Sequence, residues 1–309
     1  MARGTDGPSF HPDLTRARLM PRTSATARNR RILRALGRLG AGKPPRSGEL
    51  VPLPDGAHLR VHWPTTAPSH GGLPAVVQIH GGGLIIGGPR GSDALCRTLA
   101  DSLGAVVASV GYRLPPEHPY PAPLDDCETA LNWLAEHPRV DRARIALTGD
   151  SAGGGLAAAV TARTVDAGRL TLAGQALLHP MLDDRTAADP STSDPPWLRL
   201  WNGASNRLGW GLYLGEQAED PPTDAVPARR TDLAGFPPTW IAVGTADLFH
   251  DEDVAYASSL QEAGTECELV TIPSAYHGFD VAEPRAPISR DTARRRAEAL
   301  RRMLGVAPG

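Results

Sequence analysis

Cysteine, lysine and long apolar runs are all scarce in this chain of 309 residues. Three cysteines, Cys96, Cys127 and Cys267, are too few and too scattered for a disulfide framework or a paired-cysteine metal site. They read as small buried hydrophobes in a reducing compartment, which points to the cytoplasm. Lys43 is the sole lysine, so the basic character rests on arginine. The longest uncharged apolar stretches, such as residues 105–110, fall far short of the ~18 residues that a membrane span needs. Residues 1–48 hold no apolar segment of the kind a secretory leader carries. Stable membrane insertion is therefore not expected.

What is plentiful is glycine and proline, 33 and 30 residues, about a fifth of the chain against a usual ~12%. They follow no period, which excludes collagen and favours a loop-rich fold. With 41% hydrophobic and 21% charged residues, wholesale disorder is excluded as well. The net charge of −2 hides an asymmetry. Residues 1–48 carry Lys43 and ten arginines against Asp6 and Asp13, a balance of +9, so the rest of the chain carries −11. A basic arm can serve nucleic acid or an anionic membrane. Here residues 29–40 also place Ile32, Leu36 and Leu39 on one helical face, and the expectation is a surface helix packing that stripe on the acidic body, with no nucleic-acid partner.

After residue 48 short apolar runs alternate with helical patterns. Residues 49–53 and 58–62 read as strands around the turn Pro54-Asp55-Gly56. Six further runs, at 75–79, 105–110, 145–147, 174–178, 239–243 and 268–272, are rich in Val, Ile and Leu and read as buried strands. Between them lie helical stripes: Leu95, Leu99 and Leu103; Leu124, Cys127, Leu131 and Leu134; Leu156, Val160 and Thr164; and, last, Ala293, Ala297, Leu300 and Leu304. This alternation predicts an α/β fold whose mainly parallel sheet is covered on both faces. Residues 183–235 break the pattern. A structureless loop of that length is uncommon, so an inserted lid is expected, with Trp197, Trp201, Trp210 and Tyr213 as its apolar mass.

The sharpest motif is Gly149-Asp150-Ser151-Ala152-Gly153, between a strand and a helix. It fits the nucleophile elbow G-x-S-x-G, in which small flanking residues permit a very tight turn. Ser151 then meets the helix N terminus, whose amides favour developing negative charge. A second motif, His80-Gly81-Gly82-Gly83, follows another strand. Its glycines leave backbone N–H groups open to a ligand, so Gly82, Gly83 and Ala152 are the expected oxyanion donors. His80 reads as a brace for that loop. A nucleophilic serine needs a base and an orienting acid, in the chain order Ser, acid, His on this architecture. Only His179, His250 and His277 follow Ser151. His179 has little room for an acid ahead of it, and His250 reads as a helix start. His277, in a loop after the last strand, is the expected base. Asp247, just past the strand at 239–243, is the expected acid. Asp251, Glu252 and Asp253 are rivals that look like the first turn of the next helix, where acids simply suit the dipole.

Two further patterns carry no chemistry. His58 and His62 have zinc spacing for a helix but lie in a strand. Gly37-Arg38-Leu39-Gly40-Ala41-Gly42-Lys43-Pro44 has phosphate-loop spacing, yet Pro44 replaces Ser/Thr and removes an N–H.

Together with Tyr112-Arg113-Leu114-Pro115-Pro116-Glu117-His118, Asp247-Leu248-Phe249-His250-Asp251-Glu252 and His277-Gly278-Phe279, these blocks resemble the hormone-sensitive-lipase-like family of α/β-hydrolases, the bacterial family IV esterases. The resemblance runs from about residue 74 to 280. It implies an eight-stranded α/β-hydrolase fold, a Ser151–His277–Asp247 triad, and a cap built from the N-terminal arm (1–48) and the insert (183–235) over a catalytic domain made of 49–182 and 236–309. It also implies short- to medium-chain acyl esters as substrates, often homodimers, and no metal or organic cofactor. Two departures stand out. Many members have Asp-Pro-Leu at the acid, and an aromatic residue where this chain has Leu84. In the Tyr112–His118 block, Glu117 and His118 read as structural and Arg113 as half of a buried ion pair. Alternatives are an amidase or deacetylase with the same triad, a lipase docking on membranes through the basic arm, and a non-catalytic binding module of the kind that has lost the histidine.

Overall fold

The computed structural model describes residues 9–23, 25–38, 42–46, 48–66, 72–191 and 193–307. Eight strands form one sheet: β1 (Gly48–Pro52), β2 (His58–His62), β3 (Leu73–Ile79), β4 (Val106–Gly111), β5 (Val140–Asp150), β6 (Gly174–Leu178), β7 (Thr239–Gly244) and β8 (Cys267–Ile272). Their order is β1-β2-β4-β3-β5-β6-β7-β8. The hairpin β1–β2 pairs antiparallel and joins β4 antiparallel, and every pair from β4 to β8 is parallel. Every residue of β3, β4, β6 and β7 is buried, as expected of strands covered on both faces. β5 starts earlier than its apolar run suggests, because Asp141, Arg142, Ala143 and Arg144 extend it beyond the covered part of the sheet.

The helices are α1 (Arg30–Arg38), α2 (Asp93–Leu103), α3 (Ala122–Glu136), α4 (Ala152–Ala167), α5 (Gly203–Leu214), α6 (His250–Glu262), α7 (Phe279–Ala282) and α8 (Pro287–Met303). Two apolar layers sandwich the sheet. One holds Ala75 and Val77 of β3 with Leu124, Cys127, Leu131 and Leu134 of α3, much of α4, and Tyr256 and Leu260 of α6. The other holds Val76 with Cys96, Leu99 and Leu103 of α2 and Ala299 and Leu300 of α8. The alternation of Ala75, Val76 and Val77 between layers is the two-residue period of a strand.

The arm and the insert are stitched together. Leu200 N–H donates to Pro21 O at 2.7 Å, Arg199 Nε to Ala17 O at 3.0 Å, and Ser205 Oγ to Ala25 O at 2.9 Å. Trp201, Trp210 and Tyr213 are buried and Trp197 is half-buried, so the insert docks through the expected aromatics.

Two helices turn differently from expectation. On α1, Ile32 and Leu36 are 64% and 56% exposed, whereas Arg34 is 5% exposed. Leu39 lies outside the described residues. The guanidinium of Arg34 donates to Ile85 O at 2.6 Å and to Pro115 O, and pairs with Glu117. Two buried loop carbonyls need donors, and one planar fork of N–H groups supplies them where leucine could not. On α8 the difference is partial: Leu300 and Leu304 are buried as expected and Ala297 packs beside them, but Ala293 is exposed and Arg296 faces inward to Asp150. Arg113 does form the expected ion pair, forking onto Asp126 with contacts of 2.8–3.1 Å.

Solvent-facing α1 and the core stripe of α3 should respond oppositely to truncation. Leu131→Ala should lower the unfolding free energy by about 2–5 kcal/mol, whereas Ile32→Ser should stay within about 0.5 kcal/mol of the parent in urea denaturation. A large loss in Ile32→Ser would restore the apolar stripe to the interior.

Candidate active site

Ser151 caps α4 at the end of β5, with φ 56° and ψ −122°. No L-residue adopts this backbone cheaply, and the surroundings hold it. Its N–H donates to Leu178 O at 2.9 Å, and its carbonyl accepts from Met181 N–H at 3.0 Å, tying the turn to the end of β6. A Cβ on Gly149 would lie 2.1 Å from Gly153 O, and one on Gly153 would lie 2.1 Å from Ile79 O. The turn therefore closes only with glycine at both places. Asp150 beside it is gripped by two partners: Gln78 Nε2 donates at 2.8 Å, and buried Arg296 forms an ion pair.

Three distant side chains meet here. Ser151 Oγ lies 2.9 Å from His277 Nε2, and His277 Nδ1 lies 2.9 and 3.1 Å from the Asp247 oxygens. Each residue is 7% exposed. Phe249 N–H donates to Asp247 Oδ1 at 3.0 Å, and the Phe249 ring meets the His277 ring edge-on at 5.0 Å. Burial by itself pushes the Asp247 carboxyl up. The neighbouring His277 and His179 rings and the Phe249 amide outweigh it and hold the carboxyl below its ordinary range. Asp247 thus stays ionised beside the imidazole N–H.

The glycine loop lies against Ser151. A Cβ on Gly81 would come within 3.2 Å of Ser151 Cβ. Gly82 and Gly83 have φ of 120° and 57°, and a Cβ on Gly83 would sit 1.8 Å from the Trp201 ring. Ala152 opens α4, where helix amides have no partner within the helix. His80 Nδ1 donates to Gly81 O at 2.7 Å and the ring stacks on Tyr112 at 4.2 Å, while Tyr112 OH donates to His80 O. Burial pulls the His80 ring down to about 4, so it braces the loop as a neutral group.

His250 opens α6 and bonds to Asp251, away from the meeting point. Asp251, Glu252 and Asp253 do form the first turn of α6, but two of them do more than suit its dipole. Glu252 is buried and accepts from the N–H groups of Leu182 and Asp183, where the insert leaves the sheet. Burial pushes its carboxyl up to about 8. Asp253 is fully buried with neither oxygen hydrogen-bonded, and burial holds its carboxyl well above the ordinary range. Sequence reasoning missed Arg296, set His179 aside, and did not place the roof of the site against the glycine loop. His179 lies with its ring 4.6 Å from that of His277. The roof is Trp201 and α5, where a Cβ on Gly209 would meet Gly83 O at 2.6 Å. The cue for Arg296 was an arginine in register with Thr292, Ala299 and Leu300.

Comparison with known proteins gives a consistent picture. Residues 76–281 match a family described by its alpha/beta hydrolase fold. Esterase LipI of Mycobacterium tuberculosis is 36% identical over 251 residues, covering 79% of this chain and 78% of that protein. Carboxylesterase NlhH of the same species is 35% identical over 254 residues, covering 80% and 78%. Among solved structures, a bacterial heroin esterase superposes with a TM-score of 0.83 at 33% identity, covering 96% of this chain and 98% of that one.

The protonated Glu252 has a measurable signature. In the unfolded chain it ionises near ~4.3, and in the folded chain only near 8. Its contribution to stability is therefore full below the lower value and is lost as pH rises towards the upper. Glu252→Gln keeps the accepting oxygen and abolishes the titration. Its unfolding free energy relative to the parent should climb from pH 5 to 8 and level off above. A difference independent of pH would contradict the buried, protonated state.

Proposed function

The chain belongs to the hormone-sensitive-lipase-like family of α/β hydrolases, and from that premise we propose that it is a serine carboxylesterase acting on small acyl esters through Ser151, His277 and Asp247. One observation carries the reading: the 2.9 Å contacts from Ser151 Oγ to His277 Nε2 and from His277 Nδ1 to Asp247 Oδ2, among residues that are all buried.

Ser151 Oγ attacks the ester carbonyl as His277 Nε2 takes its proton. Asp247 holds the ring with Nδ1 protonated and stabilises the imidazolium that results. The carbonyl oxygen becomes an oxyanion facing the amides of Gly82, Gly83 and Ala152, and each such donor is worth about 3 kcal/mol in the transition state. His277 returns the proton to the departing alcohol. It then draws a proton from water, which cleaves the acyl-enzyme and frees Ser151. Every step moves protons and electron pairs among these groups, the substrate and water.

The roof favours short to medium acyl chains: Trp201 presses on Gly83, and α5 crosses the loop at Gly209. In this reading the arm and residues 183–235 act as one cap over the site, supported by their shared hydrogen bonds. A cytoplasmic location rests on cysteine usage, and a homodimer on the family resemblance alone. No described helix is long and apolar enough to cross a membrane.

A panel of nitrophenyl esters from acetate to palmitate tests the assignment. Activity should peak among the shorter chains. Ser151→Ala should cut turnover about 10⁴–10⁶-fold, and Asp247→Asn about 10⁴-fold through loss of the correct tautomer. Substantial turnover by Ser151→Ala would remove the serine from its role.

A further inference from the structure

His179 is a histidine for which the ester-cleaving steps have no use. It follows β6 with φ 37°, a left-handed backbone held by the hydrogen bond from its N–H to Ala242 O at 2.7 Å. Its ring is buried, at 2% exposure. Nδ1 has no hydrogen-bond partner, and Nε2 comes no nearer than 3.9 Å to Asp280 Oδ1. A buried polar nitrogen without a partner is unfavourable, and so is the backbone that presents it.

The surroundings of that ring form a donor set. His179, Asp247 and His277 each offer one ligand atom, the three atoms lie within 4.8 Å of one another, and all three residues are buried. Two imidazole nitrogens and one carboxylate oxygen are the ligands of an open tetrahedral zinc site, with bonds of about 2.0–2.2 Å. Bonds of that length set ligand atoms about 3.3–3.6 Å apart, so an ion draws the His179 ring inward and opens the 2.9 Å contact of His277 with Asp247. We propose that His179, Asp247 and His277 form an inhibitory binding site for a zinc ion.

The mode of inhibition follows from the contacts. The Asp247 oxygens face His277 Nδ1 at 2.9 and 3.1 Å, so a cation shared by carboxylate and ring replaces the Nδ1 proton. The ring keeps one proton, now on Nε2, and no proton is lost overall. Nε2–H then donates to Ser151 Oγ instead of accepting from it, and the serine cannot be deprotonated. Asp247 balances one of the two positive charges, His179 supplies the third ligand, and water completes the tetrahedron. Magnesium and calcium, which demand six or more oxygen ligands, do not fit this set. Inhibition rests on the proton relay proposed above, but metal binding does not, so the two can fail separately.

The test begins with protein freed of metal by chelator, then titrated with Zn²⁺ or Mg²⁺ while nitrophenyl acetate turnover is followed. Cobalt(II), a visible reporter of tetrahedral sites, is titrated in parallel. Zinc should inhibit with one ion per chain, reversibly with EDTA, and magnesium should not. His179→Gln and His179→Phe should each raise the half-inhibiting zinc concentration at least about tenfold, measured against each variant's own zinc-free rate. Both should lose the cobalt absorption, whereas Ser151→Ala, which has no turnover to inhibit, should keep it. If both His179 variants fail to fold, zinc-soaked crystals of the parent should show an anomalous peak about 2.0–2.1 Å from one nitrogen of each ring. Equal zinc sensitivity of parent and His179 variants would overturn the site, as would a peak only at surface histidines. If no ester is cleaved but cobalt still binds through His179, the site stands and the esterase reading falls.

Discussion

The turn at Ser151 is the constraint on which the rest of the molecule depends. A serine is held at φ 56° between β5 and α4, with flanking glycines packed so closely that a single Cβ would collide with backbone. Such a conformation is uphill by about 1–3 kcal/mol and persists only where the surroundings over-determine it. They do so from several directions: β6 and the start of the insert hold the Ser151 backbone, and Gln78 and Arg296 hold Asp150. The buried parallel sheet makes this affordable. Because β3, β5, β6 and β7 run in register, their C-terminal ends bring residues 80–83, 151, 179 and 247 to one edge.

Around that turn the protein sorts its buried ionisable groups into two kinds. Some are charged and matched, Asp150 against Arg296 and Asp126 against Arg113, and the Asp247 carboxylate accepts from the His277 ring. Others are held neutral by burial, namely His80, His179, Glu252 and Asp253. Leaving a buried charge without a partner is costly, so neutralisation is the alternative wherever no partner exists. The result is a site in which the Asp247 carboxylate faces the imidazole across a buried contact.

Much of this was legible in the amino-acid sequence because it is local. Strand and helix periodicities mark the sheet and its layers, and the glycine-flanked Ser151 and the run after His80 have spacings that only a tight turn or an open amide loop requires. The positions of Asp247 and His277 followed from chain order once Ser151 was placed. What was not legible depends on pairs far apart in the chain. The face of α1 was misjudged because Arg34 reads as a surface residue until the carbonyls of Ile85 and Pro115 are seen to need it. On α8 the stripe held at Leu300 and Leu304 but not at Ala293, and inward-facing Arg296 was not legible because it turns in for Asp150, 146 residues away. His179 looked idle because no acid precedes it closely, yet the sheet sets it beside His277. Glu252 looked like a dipole partner until it was found holding the start of the insert.

The central claim is that His277 and Asp247 make the hydroxyl of Ser151 a nucleophile. Fluorophosphonate labelling followed by peptide mass spectrometry tests it most directly, because the reagent phosphonylates a hydroxyl only when a neighbouring base takes its proton. One adduct per chain, on Ser151, that disappears in His277→Ala is the result this structure requires. A parent protein left unlabelled, or an adduct on Ser151 that forms just as fast without the histidine, would contradict it.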